Sequence, residues 1–204
     1  MKKIMTKLFG FALCLGLLLS ACSSTNLSLV YTDEAYNEGP LSDILIIGVT
    51  QEKGVRRSFE TKFVTELTAV GVEAVSSFDI LHIPEDKKLE KEDILRVIQE
   101  QGNDAVIITR LIGVEKDQVL EPSTPARVPF YAGYTMAYSH AYGGVYRTQT
   151  FVHLETNLYS AKTEKLIWSG KSETWDPKTD ASVIDEVIKA VIKDMTERGL
   201  LKAK

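Results

Sequence analysis

Apolar and polar positions change period several times along the chain, and each change marks an element. Residues 44–50, "ILIIGVT", form a continuous apolar, β-branched run, the pattern of a central strand covered on both faces. Phe59, Phe63, Val64, Leu67 and Val70 then recur at helical spacing and Gly71 follows, which predicts an amphipathic helix with a glycine stop. A short strand, "EAVSS", is expected at 73–77. A second helix is expected over 88–102, with Ile94, Leu95 and Ile98 inward and Gly102 as its end. "DAVIITRL" at 104–111 reads as another buried strand that runs on towards Val119. The order β-α-β-α-β favours a parallel core sheet.

The second half follows another pattern. Residues 148–160 alternate, with Val152, Leu154, Thr156 and Leu158 on one face and His153, Glu155, Asn157 and Tyr159 on the other. "SAKTEK" turns the chain, and 166–175 returns with Leu166, Trp168 and Gly170 inward, an antiparallel hairpin. Val183, Ile184, Val187, Ile188, Val191, Ile192 and Met195 form a helical stripe that Ser182 or Asp180 can cap and Gly199 ends. The predicted fold is α/β (α+β): a mixed β-sheet with a β-α-β-α-β first half, an antiparallel hairpin, and a C-terminal helix packed on the sheet.

Between the halves lies a Tyr/Gly-rich insertion at 120–147. Its "YAGYTMAYSHAYGGVY" holds five of the eight tyrosines: Tyr131, Tyr134, Tyr138, Tyr142 and Tyr146. From Tyr134 the segment alternates at period two, as an extended hairpin limb would. The tyrosines are also three, four, four and four apart, as on one side of a helix, although Gly133, Gly143 and Gly144 weaken that reading. A loop behind Pro122, Pro125 and Pro129 is the third possibility. Tyrosine joins a rigid apolar ring to a polar tip, so an exposed cluster suits a wet interface. The five tyrosines are therefore the expected contact surface.

The amino terminus adds location. Lys2, Lys3 and Lys7 precede an apolar run from Leu8 to Leu19. Its twelve residues span about 18 Å, too short for a bilayer core of about 30 Å. This is a signal-peptide pattern over residues 1–21. Leu19-Ser20-Ala21-Cys22 then resembles a bacterial lipobox, which implies acylation of Cys22 and a stable membrane anchor. Residues 22–43, with scattered apolar positions and a Gly39-Pro40 breaker, read as a lipidated cysteine and flexible tether. A single domain is expected over 44–201. If the host is Gram-negative, Ser23 points to the outer membrane, with the domain facing the periplasm.

Charge and chemistry then narrow the function. The chain has 24 basic and 28 acidic residues. Without Lys2, Lys3 and Lys7 the basic count is 21 and the net charge −7, which argues against nucleic acid as a partner. Cys14 lies in the signal segment, so no internal disulfide is expected. His82, His140 and His153 show no metal-ligand spacing. Gly54 stands alone, without a phosphate-loop pattern, and Arg56 and Arg57 read as a solvated face or an anion contact near the helix start. Ser139-His140 and Ser169-Gly170 lack a nucleophile-elbow context. Glu92-Asp93 and Asp185-Glu186 suit helix amino-termini. No catalytic residue, metal or cofactor is expected.

Taken together, "GNDAVIITRL", the Tyr/Gly-rich insertion, "VHLETNLYSAKTEKLIWSGKSET" and a terminal helix ending "RGLL" resemble a widespread family of bacterial envelope lipoproteins. Their fold is similar to the amino-terminal domain of TolB, a module also used by CsgG, PelC and LpoB. The resemblance implies a non-catalytic interaction or assembly module at the membrane surface. Its partners would be the membrane, through the lipid anchor, and an unidentified envelope protein or a second copy. The alternative it leaves open is an oligomeric transport or secretion-channel subunit whose Tyr-rich hairpin contacts the membrane.

Overall fold

The computed structural model describes residues 24–81, 89–120, 127–143 and 146–202. The elements run β1 (Thr25–Thr32), β2 (Asp43–Val49), α1 (Lys53–Ala69), β3 (Glu73–Ser76), α2 (Ser77–Ile80), α3 (Lys91–Gln101), β4 (Ala105–Leu120), α4 (Phe130–Gly143), β5 (Tyr146–Ser160), β6 (Leu166–Trp175) and α5 (Asp180–Glu197). One sheet holds all six strands in the order β1-β6-β5-β4-β2-β3. The β2, β3 and β4 side is parallel, as helical crossovers require, and the β4-β5-β6-β1 side is antiparallel. The mixed α/β sheet expected from the periodicity is therefore present.

Helices α1 and α5 cover one face. Phe59, Phe63 and Leu67 of α1 and Val187, Ile188, Val191 and Met195 of α5 bury against Ile44, Ile46, Ile107, Leu158 and Trp168 of the sheet. Thr179 caps α5 by accepting from the Ser182 backbone N–H while Ser182 returns the bond, a reciprocal box that fixes where the helix starts. The opposite face is covered only in part. Leu81 and Val97 pack with Leu45, Ile47 and Val106 beneath the α2-α3 side. Along β5 and β6 that same face carries His153, Glu155, Asn157, Lys171 and Glu173, half-buried or exposed.

Trp168 is completely buried. Its indole N–H donates to Asp194 of α5 at 2.8 Å, so the largest core side chain keeps its one polar group paired. A Cβ on Gly170 would lie 2.5 Å from the Trp168 ring. Glycine there is the space the indole occupies.

Three expectations are corrected. Residues 25–32, read as tether, are strand β1, an edge strand paired antiparallel with β6. Its register shifts between Ser28 and Tyr31, with Leu29 at φ 49 and exposed. This bulge turns Val30 inward beside Leu27. The tyrosine segment is a helix over Phe130–Gly143, neither a loop nor a hairpin limb. In β6, Leu158 pairs with Trp168 but Tyr159 with Leu166; the extra residue, Ile167, joins Trp168 in the core while Leu166 is only half-buried.

Candidate contact surface

β4 and β5 outrun their neighbours. Pairing of β2 with β4 stops at Val49 and Arg110, and pairing of β5 with β6 stops at Phe151 and Trp175. β4 and β5 remain paired with each other as far as Leu120 and Tyr146. A two-stranded ribbon thus leaves the sheet, and α4 lies in the connection between its two ends. The bulge between Leu111 and Gly113 sits where the ribbon begins, a usual place for the extra twist that re-aims a strand.

No residue of α4 is buried. Phe130 is 90% exposed and Tyr142 78%. Tyr131, Tyr134, Tyr138 and Tyr142 stack along one side with successive ring centroids 6.2, 6.0 and 4.5 Å apart, within the range of favourable aromatic pairs. Tyrosines three and four residues apart meet because helical side chains share a face at that spacing. Thr135 donates its hydroxyl proton to the carbonyls of Tyr131 and Ala132, and Ser139 donates to that of Met136. The helix thus satisfies its own short polar side chains. Four of the five expected contact tyrosines come together here. Tyr146 is separate, exposed at the first position of β5.

The remaining candidates have other places. Cys22 and His82 lie outside the described residues. Among the described residues no three His, Cys, Asp or Glu side chains form a group that could hold a metal. His140 is on α4, and His153 lies on β5 between Glu173 at 3.7 Å and Glu115 at 3.9 Å. Arg56 is not an anion contact. Its Nε pairs with Glu60 at 2.8 Å and its Nη2 donates to Ser77. Glu60 is fully buried and accepts from the backbone N–H groups of Gly48 and Phe78 and from the hydroxyls of Ser76 and Ser77. This ties α1, β2 and the start of α2 together and explains a buried carboxylate without chemistry. The signal for it was an acidic residue beside Phe59 in the apolar stripe, four residues after an arginine. Glu186 likewise accepts from the Ser24 backbone N–H and hydroxyl, both at 2.8 Å, and so pins the start of β1.

One cleft opens beyond the carboxyl end of β2, beside the middle of β4, about 180 Å³ in volume. Val49, Phe59, Leu111, Val152 and Ile184 make it largely apolar, with Arg56, Arg110 and Asp180 at its border. Arg110 is engaged by Glu155. Thr50, Glu52 and Thr109 are the other polar residues of the lining.

No protein-family model matches the chain, and no curated protein does. Solved structures similar to it include a PelC dodecamer from Paraburkholderia phytofirmans, at 12% identity and TM-score 0.47, covering 88% of this chain and 99% of that one. They also include lipoprotein GNA1162 from Neisseria meningitidis, at 14% identity and TM-score 0.43, covering 76% and 99%. A minor lipoprotein from Acinetobacter baumannii is similar at 10% identity and TM-score 0.36, covering 80% and 98%.

Proposed function

We propose that this protein is a non-catalytic, lipid-anchored component of a bacterial envelope that works as an interaction and assembly module, with α4 as its contact surface. The observation that carries this reading is a helix with no buried residue and four stacked, exposed tyrosines. An aromatic surface of this kind is costly to leave in water and normally marks a contact. Acylation of Cys22 would hold the domain at the membrane, at the outer membrane in a Gram-negative host. The test is capture of crosslinked complexes from cells carrying Tyr131, Tyr134, Tyr138 and Tyr142 all replaced by serine. Loss of the complex from a stably folded variant is expected; an undiminished complex would remove α4 as the contact surface.

The channel-subunit alternative is less well supported by the ribbon's own residues. A membrane-spanning strand needs about 9–11 residues with one apolar face. Past Gly113 the ribbon places Glu115 and Asp117 on one side and Lys116 on the other, opposite Phe151, Gln149 and Thr150. Neither side is apolar.

A further inference from the structure

We infer that α4 docks on the headgroup zone of a phospholipid bilayer, lying in its plane. This rests on the reading of α4 as the contact surface and names what the surface meets. Three observations carry it.

The first is the character of the helix. Its far side, away from the tyrosines, carries Met136, exposed at 44%, and the half-buried His140, with Gly133 beside them. No Asp, Glu, Lys or Arg occurs from Phe130 to Tyr146. A protein groove covers one side of a helix and leaves the other charged or strongly polar; a helix with no Asp, Glu, Lys or Arg on any side suits a medium that surrounds more of it. Thr135 and Ser139 return their hydroxyl protons to the helix's own carbonyls, which lowers the cost of taking them out of water. Fourteen residues span about 21 Å, less than a hydrocarbon core of about 30 Å, so the helix lies along the surface. No described helix is long and apolar enough to cross a membrane. Stacked tyrosines suit that depth, where rings meet the acyl boundary and phenols meet water and phosphate.

The second is charge. From Pro122 to Leu154 the chain has no acidic residue, although the whole chain has 28. Arg127 is exposed just before α4. Arg147, just after it, is half-exposed and pairs with Asp176 at 2.9 Å. The ribbon beneath α4 carries Glu115 and Asp117 on β4, whereas α4 and its flanks are a part of this acidic protein that an anionic lipid surface does not repel.

The third is position. The Ser24 carbonyl accepts from the Trp175 backbone N–H, and the Thr150 carbonyl accepts from that of the next residue, Asp176. The first described residue therefore lies at the sheet end from which the ribbon leaves. Cys22 is two residues upstream of Ser24. An acyl anchor there and α4 at the ribbon's end address the same side of the molecule.

The experiment is flotation of the chain from residue 22 on, with Cys22→Ala so that no acyl group contributes, on vesicles of phosphatidylethanolamine and phosphatidylglycerol. Wild-type chain is expected to float with the vesicles. The fourfold Tyr→Ser variant and Met136→Glu are both expected to lose flotation while keeping the same melting temperature. A chain that stays at the bottom of the gradient overturns the inference. If the Tyr→Ser variant has nevertheless lost its crosslinked complex in cells, the contact surface stands with a protein as its occupant. If neither assay responds to the tyrosines, both readings fail. Flotation unaffected by Met136→Glu also overturns the inference, because only one side of the helix would then be engaged. Oligomers of the free chain that Tyr→Ser dissolves, without flotation, would assign the surface to a second copy.

Discussion

At the scale of single residues, two side chains decide how firmly the core is fixed. Trp168→Ala is expected to cost about 3–5 kcal/mol, by loss of its packing and of the bond to Asp194. A calorimetric melt should show a large fall in the midpoint. Glu60→Ala is expected to cost about as much, because it strands Arg56 and two backbone N–H groups inside the protein. A third site tests charge. Burial raises the Asp43 pKa most, the Asn103 side-chain bond opposes that rise, and Asp104 and Glu73 add to it. A carboxyl whose pKa is raised on folding binds its proton more tightly in the native state, so its contribution to stability falls as pH rises from the unfolded to the folded pKa. Asp43→Asn is therefore expected to leave the protein as stable or more stable at neutral pH, with the gain shrinking in acid. Melting curves across that range check it; a variant less stable at neutral pH and equal in acid would reverse the sign. Trp168 was legible because its strand alternates. Glu60 was hidden because its partners come from α1, β2 and the β3-α2 junction, which no local pattern joins.

Among the elements, legibility followed the strength of the period. The stripes of α1 and α5 and the buried runs of β2 and β4 each admit one reading, and the structure has them where the pattern puts them. β1 was missed because its bulge disguises it: Leu27 and Val30 face inward three residues apart, whereas a regular strand would have paired Leu27 with Leu29. The tyrosine segment was ambiguous for the opposite reason, since its spacing fits two periods and no burial arbitrates between them. That absence of burial gives the test for α4. Replacing Tyr131, Tyr134, Tyr138 and Tyr142 by serine is expected to move the melting midpoint by no more than a degree or two, since none of the four is in the core. A drop as large as that of Trp168→Ala would show that the helix packs on the body.

For the whole molecule, the sheet and its two helical layers form a body, and the ribbon with α4 is an addition to it. Leu120 and Tyr146 are a register pair, so residues 121–145 can be replaced by an Asn-Gly turn that suits a two-residue hairpin. The shortened protein is expected to fold with an unchanged melting midpoint and to lose its crosslinked complex. Loss of folding would place the insertion within the body instead. Location was legible in the first 22 residues as an expectation that fatty-acid labelling of Cys22→Ala cells checks, with loss of label expected. The nearness of Ser24 to the start of the ribbon was not legible, because it depends on β1 joining the sheet. That pairing has a kinetic meaning. With a coil between acyl group and body, α4 would sweep a wide volume and meet the bilayer rarely. With Ser24 bonded to Trp175 and Glu186, an acyl group on Cys22 would start from the sheet end where the ribbon leaves, and once it was seated α4 would meet the surface at high effective concentration. Two such contacts, neither of which would need to be tight alone, would then hold the body in a single orientation.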